Sequence, residues 1–311
     1  KNGGYFDFQI EYGLILLNKI LLFNEDAQKK FYYCQGFNIL CQLIIDYWLD
    51  KFNMKLYTNL ISILQSLTNE RLQVQLFNGI LTYFPFLMQL KPHLHEKILR
   101  YVAQSVFISF KSIAMKCRGF GVILSALRKF YYYSPTELTI IYQPKNRPSD
   151  LNIQLCRSFL FEILFSFASD NFSISDFECI VSHCISCTEL AQILDMFAFI
   201  VKVFGDLSDS IDFAVENDTF SFLIFFFIRY PNEKFQFLIV DLIDNCHRNR
   251  LISDDCFISY VTEIIKMLPK NMITKEMVKY VRGKFNENPL FLPLMCFLVI
   301  QFKDDELLPF I

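Results

Sequence analysis

Gly36-Phe37-Asn38-Ile39-Leu40 returns as Gly119-Phe120-Gly121-Val122-Ile123-Leu124, 83 positions later, and more loosely as Asp218-Thr219-Phe220-Ser221-Phe222-Leu223. Half of that interval is about 41 residues, inside the range of armadillo and HEAT repeats, where each unit is two or three helices stacked on its neighbours. A glycine ahead of the aromatic lets two helices approach closely at a tight turn, and the aromatic anchors the new helix in the core between repeats. The expected fold is therefore all-α: an armadillo/HEAT-like α-solenoid of stacked helix pairs or triplets.

The rest of the chain reads the same way. Apolar residues recur at helical spacing, as in Leu14, Leu17 and Leu21, then Leu40, Leu43 and Ile44, which is the core-facing stripe of an amphipathic helix. Breaks fall where helix ends belong: Asn24-Glu25, Gln35-Gly36, Pro85, Lys91-Pro92, Arg118-Gly119, Pro231-Asn232, Pro269 and Asn288-Pro289. Start signals agree, with Ser134-Pro135-Thr136-Glu137, Ser173, Thr188 and Ser253 each offering a side-chain acceptor to orphan amides. No period-2 strand series and no Asn-Gly or Asp-Gly hairpin turn separates apolar runs, so a substantial sheet is not expected.

Composition bounds the function. Hydrophobic residues make up 53% and charged ones 20% of 311, with only 9 Gly and 10 Pro, a balance that long helices resolve. Thirty basic against 32 acidic side chains leave no field to gather phosphates, which disfavours nucleic acid as a partner. The 10 cysteines follow no disulfide framework and read as reduced, buried small hydrophobes of a cytosolic protein. The charge-free run 72–90 reaches bilayer length but carries Gln73, Gln75, Asn78, Gln89 and an internal Pro85, so it reads as a buried helix ending near Pro85.

Residues 1–311 are expected to form a single solenoid segment: N-terminal repeats over 1–133, a proline-bearing loop over 134–150, and C-terminal repeats over 151–311. Phe220, Phe222, Phe225, Phe226 and Phe227 cover more than one face, so 220–228 is expected as a central helix. The stretch 289–302 is similar and suggests a seam against a further repeat. The start at Lys1 and the apolar end suggest a fragment of a larger protein.

Ile123-Leu124-Ser125-Ala126-Leu127-Arg128-Lys129-Phe130-Tyr131-Tyr132-Tyr133 precedes the proline loop and Arg147-Pro148-Ser149. After these come Leu155-Cys156-Arg157-Ser158-Phe159-Leu160, Ser175-Asp176-Phe177-Glu178 and Ile193-Leu194-Asp195-Met196-Phe197. From Gly119 to about Ile243, this order of features resembles the armadillo-like region of BEACH-domain proteins of the neurobeachin type. Members of that family are very large cytoplasmic proteins of vesicle traffic, in which the solenoid precedes a PH-like and BEACH module and a WD40 propeller. The resemblance implies a scaffold segment whose partners are other proteins and adjacent domains of the same chain, and it carries no catalytic residue across.

Candidate chemistry is sparse. Cys179, His183, Cys184 and Cys187 include a ligand-like Cys-x-x-Cys spacing, but without a second pair they read as helix-face cysteines rather than a metal site. His93 and His95 with Glu96 lie in an exposed helix start, and His247 sits at a polar helix end. No phosphate loop or dinucleotide fingerprint occurs. No catalytic, cofactor-binding or metal residue and no small-molecule substrate is therefore expected. The alternative to a cytoplasmic protein-binding scaffold is a peripheral adaptor of endomembranes, touching anionic lipid through Lys111, Lys116, Arg118, Arg128 and Lys129.

Overall fold

The structure, a computed structural model, describes residues 3–117, 119–132, 150–187, 189–206, 233–250, 252–268 and 273–302, and every element among them is helical. The expected loop 134–150 is described only at Asp150, which already opens a helix, and the helix 220–228, the recurrence at Asp218, the breaks at Pro231 and Pro269 and the cap at Thr188 lie outside the described residues. The chain divides into two compact units, Lys1–Phe167 and Ala168–Ile311.

In the first unit, α1 (Gly3–Leu21), α2 (Glu25–Tyr33), α3 (Gly36–Leu43), α4 (Met54–Ser66) and α5 (Glu70–Leu76) are followed by the short α6 (Phe84–Leu87). Then come α7 (Pro92–Tyr101), α8 (Phe107–Ser109), α9 (Lys111–Lys116), α10 (Gly119–Ala126) and α11 (Asp150–Asn171), the last contributing its residues up to Phe167. Two rows result. Helix α1 packs on α4 and α4 on α7, while α2 packs on α5 and α5 on α9. The break at Asn24-Glu25 is a helix start, where Asn24 caps α2 by accepting from the Ala27 amide, and a cap not singled out in the sequence, Asn53, opens α4 by accepting from the Lys55 and Leu56 amides.

The 83-residue recurrence is a structural one. Helix α3 begins at Gly36 and runs into a π-helical turn at Ile44–Trp48, while α10 begins at Gly119 and runs into one at Leu127–Tyr131, so every boundary is displaced by the same interval. Cys34 and Cys117 close the preceding helices in the same register. The glycines do what their positions require: a Cβ on Gly36 would lie 2.4 Å from the Phe31 ring, and one on Gly119 would lie 2.6 Å from the Phe167 ring and 2.9 Å from the Ala114 carbonyl.

Polar contacts between repeats keep a spacing near that half-interval. Buried Gln28 donates to the Leu21 carbonyl at 2.8 Å and accepts from the Thr68 and Asn69 amides at 3.1 and 2.8 Å, 40 and 41 positions along the chain. Gln75 likewise donates to Gln35 Oε1 at 2.9 Å, 40 positions back, and accepts from the Phe37 amide at 3.4 Å. Each reaches backbone groups at helix ends that have no partner inside their own helices.

The second unit holds α12 (Ile174–Ser186), α13 (Leu190–Asp206), α14 (Glu233–Arg248), α15 (Asp254–Met267), α16 (Lys275–Glu287) and α17 (Leu292–Phe302). Ser173 opens α12 with a reciprocal capping box to Asp176, and Ser253 caps α15. Helix α14 packs on α13 and α16, and α15 on α17. The fully buried Asp244 carboxylate accepts from Lys284 at 2.9 Å, 40 positions on, and from Arg248 at 2.9 Å and Asn288 at 3.4 Å. Burial opposes the charge on Lys284, yet its bonds to Asp241 and Asp244 leave its pKa raised.

Several expectations need correction. The run 72–90 is not one helix: α5 continues as a π-helical turn to Leu81 and stops, and Pro85 stands in the first turn of α6 rather than at a helix end. Thr82 Oγ1 donates to the Phe77 carbonyl at 2.9 Å, adding to the bond that carbonyl accepts from the Thr82 amide at 2.8 Å. No helix among the described residues is long and apolar enough to cross a membrane. Cys34 is exposed, whereas Cys41, Cys117, Cys156, Cys184, Cys187 and Cys246 are buried as expected. In 289–302, Phe291, Leu294, Met295, Leu298 and Val299 are buried while Leu292 and Ile300 are exposed, and Tyr12, Leu16 and Ile20 on α1, with Phe23 beyond it, make a further exposed apolar row.

Gly119→Ala is expected to lower the unfolding free energy by about 1–3 kcal/mol through overpacking. Gly283→Ala, which meets nothing within 4 Å on α16, is expected to raise it by about 0.5–1 kcal/mol. Urea titration followed by circular dichroism reads both, and a neutral Gly119→Ala would deny the close approach at the repeat turn.

Candidate protein-binding groove

The break between α2 and α3 places a side chain that sequence reading passed over. Gln35 holds φ at +53°, a left-handed conformation that costs a non-glycine residue about 1–2 kcal/mol. Its Oε1 accepts from Asn38 Nδ2 at 2.7 Å and from Gln75 Nε2 at 2.9 Å, and these bonds hold the strained residue in place. Its own NH2 group stays open beside a groove of about 930 Å³ between α2–α3 and α5 with its π-helical turn.

Amide side chains dominate that groove: Gln35, Asn38, Gln42, Gln75, Asn78 and Gln89. Most are anchored at one end. Gln42 Nε2 donates to Asp46 at 2.8 Å and Gln89 Nε2 to the Pro85 carbonyl at 3.0 Å, so each presents its carbonyl oxygen. Asn38 spends its NH2 on Gln35 and rests its oxygen over Gly79, where an added Cβ would lie 2.6 Å from it. The charged residues of the lining, Glu70 and Arg71, are adjacent and opposite in sign, and Glu70 is paired with Lys116. Fixed amides of both polarities, with little net charge, suit a ligand that alternates donors and acceptors.

The residues singled out from sequence are dispersed. Cys184, Cys187 and His183 are buried and Cys179 partly so, at the end of α12, and burial pushes the Cys184 thiol well above its usual range. Among the described residues no group of three or more His, Cys, Asp or Glu is disposed to hold a metal ion. His93 is exposed but His95 is fully buried, contrary to the exposed setting expected for both, and its Nε2 lies 2.8 Å from the Tyr131 hydroxyl. His247 ties Asp254 at 2.8 Å to Asn288 at 3.2 Å beside an open recess of about 640 Å³ in the second unit. Of the basic zone, Lys111 donates to the Ser166 carbonyl at 2.6 Å and Lys116 pairs with Glu70, Arg118 lies outside the described residues, and Arg128 and Lys129 are exposed.

In the sequence alone Gln75, Asn78 and Gln89 argue only against a membrane span and do not mark a groove. The available signal was amides one helical turn apart, Asn38 with Gln42 and Gln75 with Asn78, inside otherwise apolar helices.

Residues 12–244 match the family described as the Neurobeachin/BDCP, DUF4704 alpha solenoid region. No curated protein matches the chain. Among solved structures, the crystal structure of an engineered protein aligns over 94% of this chain and 95% of its own at 9% identity, with a TM-score of 0.25, a likeness too loose to carry an argument.

The buried histidine gives the groove-bearing unit a pH dependence. Burial lowers the His95 pKa from 6.5 to about 4, so the unfolded chain takes up its proton first as pH falls. Stability from this group is complete above about 6.5 and is lost as pH drops toward about 4, a change of about 3 kcal/mol. His95→Gln is expected to flatten that window relative to the unmodified chain in urea midpoints taken between the two pH values. Parallel profiles would remove the assignment.

Proposed function

The chain belongs to the neurobeachin/BDCP alpha-solenoid family, and on that premise we propose that it works as a non-catalytic scaffold segment of a large BEACH-type protein, binding other proteins in vesicle and membrane traffic on the cytoplasmic side of endomembranes. The reading treats residues 1–311 as one continuous segment of that scaffold, with other proteins and the adjoining domains of the same chain as its partners.

The observation that carries the proposal is the open amide-lined groove, a surface built for reversible hydrogen bonding. Among the described residues its lining contains no histidine and a single cysteine, Cys41, whose thiol burial pushes up to about 12. A thiol held protonated is a poor nucleophile. The alternative, a peripheral adaptor reading anionic lipid through the basic zone, gains nothing from Lys111 and Lys116, which are spent on Ser166 and Glu70.

Proximity labelling with a biotin ligase fused to the chain is expected to enrich components of membrane traffic over the ligase alone. An indistinguishable labelling pattern would sink the scaffold reading. In parallel, liposomes containing phosphatidylserine are expected to leave the chain in the supernatant at about 0.15 M salt. Pelleting that disappears as salt rises would favour the lipid adaptor instead.

A further inference from the structure

Resting on the scaffold reading, we propose that the groove between α3 and α5 takes an extended, uncharged stretch of polypeptide by its main chain, through the half-anchored amides Gln35, Asn38, Gln42 and Gln89. This names what the scaffold holds, and it stands on three features of the site.

The first is polarity. Gln35 offers donors, whereas Asn38, Gln42 and Gln89 offer carbonyl oxygens, because in each the opposite end is held by a partner within the unit: Asn38 and Gln75 on Gln35, Gln35 on Asn38, Asp46 on Gln42 and the Pro85 carbonyl on Gln89. A phosphate would require convergent donors with excess positive charge, and a metal cation would require convergent acceptors with carboxylates. A polypeptide backbone requires both in alternation. Among the described residues the lining's charges are Glu70 and Arg71, and with Lys116 on Glu70 and Asp46 on Gln42 just behind them the two signs balance, so neither an acidic nor a basic segment is favoured.

The second is pitch. Asn38 and Gln42 stand four positions apart on one helix face, about 6 Å along the axis. An extended chain repeats its outward-facing N–H and C=O every two residues, about 6.7 Å. Side chains of this length absorb the difference, so successive amides on α3 meet successive peptide groups on one side of a strand lying along the helix.

The third is pre-organisation. Gln35 is held at positive φ by the bonds that aim it, and Asn38 is seated over Gly79 on the opposite wall, where a Cβ would displace its oxygen. Amides already fixed at one end lose less freedom on binding than free ones. Strain kept at Gln35 where glycine would relieve it is accounted for if the Gln35 side chain has work to do.

Two substitutions separate binding from folding. Gln35→Gly removes the amide while relieving the left-handed backbone, and Gly79→Ala pushes Asn38 aside while improving helix propensity. Gly79→Ala is expected to unfold at or above the urea midpoint of the unmodified chain, and Gln35→Gly, which gives up the bond to Gln75 but relieves the left-handed backbone, close to it. The probe is a phage-displayed library of random dodecapeptides panned on the full 311-residue chain, followed by anisotropy titration of an enriched peptide in synthetic form.

The expected result is that each substitution weakens the peptide roughly tenfold, the size of a lost hydrogen bond in a desolvated site. N-methylation of alternate peptide amides should weaken it comparably, and raising salt from about 0.05 to 0.5 M should change affinity by less than about threefold. The proposal is overturned if no enriched peptide is sensitive to the two substitutions, if binding follows peptide charge and salt, or if N-methylation has no effect. Unchanged proximity labelling by the Gln35→Gly chain would overturn the groove assignment while leaving the scaffold reading standing. Loss of all specific labelling by the unmodified chain would sink both.

Discussion

A repeat in this chain has more apolar surface than it can bury by itself, and the structure depends on each helix pair being covered by the next. Tyr57, Phe77, Phe86 and Tyr131 are fully buried in the first unit, as are Phe197, Phe204 and Phe257 in the second, and side chains of that size supply roughly 1.5–3 kcal/mol each only when water is excluded from all sides. Non-directional burial does not choose a register, however, since one greasy flank slides over another at little cost. The register comes from the few polar groups caught inside. Gln28, Gln75 and Asp244 have their partners about one repeat away, and a slip by a single helical turn would leave each of them buried with its hydrogen bonds broken.

The same polar groups explain where a binding surface can arise. Gln75 lies at the border between the dry seam and the groove, and through Gln35 it hands the hydrogen-bond pattern from buried side to open side. The inter-repeat contact and the groove wall are thus one structure. Whatever fixes the spacing of α3 against α5 also fixes the spacing of the amides facing solvent. A loop-borne site would have to be ordered on binding, whereas this one inherits its order from the packing beneath it.

The architecture was legible in the sequence because its main signals are local. Amphipathic stripes, caps such as Ser173 and Asn24 and the Gly-Phe turns depend on neighbours within a few positions, and the recurrence at Gly36 and Gly119 survived into structure with its helix and π-turn boundaries intact. What was not legible depends on residues a repeat away. His95 reads as a surface histidine from its own turn, and only Tyr131, 36 positions on, shows that it is interior. Pro85 reads as a helix end, but the stop at Thr82 is made by that residue's own hydroxyl and by Tyr57, whose hydroxyl donates to the Leu81 carbonyl at 3.0 Å, 24 positions on from it. The groove escaped for the same reason, since amides in an apolar helix carry no periodic signal until the opposing wall is known.

The titratable groups follow from this arrangement. Burial drives the thiols of Cys117 and Cys156 up to about 11 and about 12 and the His95 imidazole down to about 4, so at neutral pH they are held in uncharged form. Among the described residues, charge is kept inside where counter-charges meet it, as Lys284 from the next repeat and Arg248 from the same helix do for Asp244. A core assembled under that rule leaves few charged groups to shape a surface recess. The groove in the first unit is accordingly lined by amides, groups that sit at a seam without needing a counter-ion and still hydrogen-bond whatever lies across them. Main-chain recognition by a neutral groove is thus the surface expression of the constraint that excludes unpaired charge from the seam.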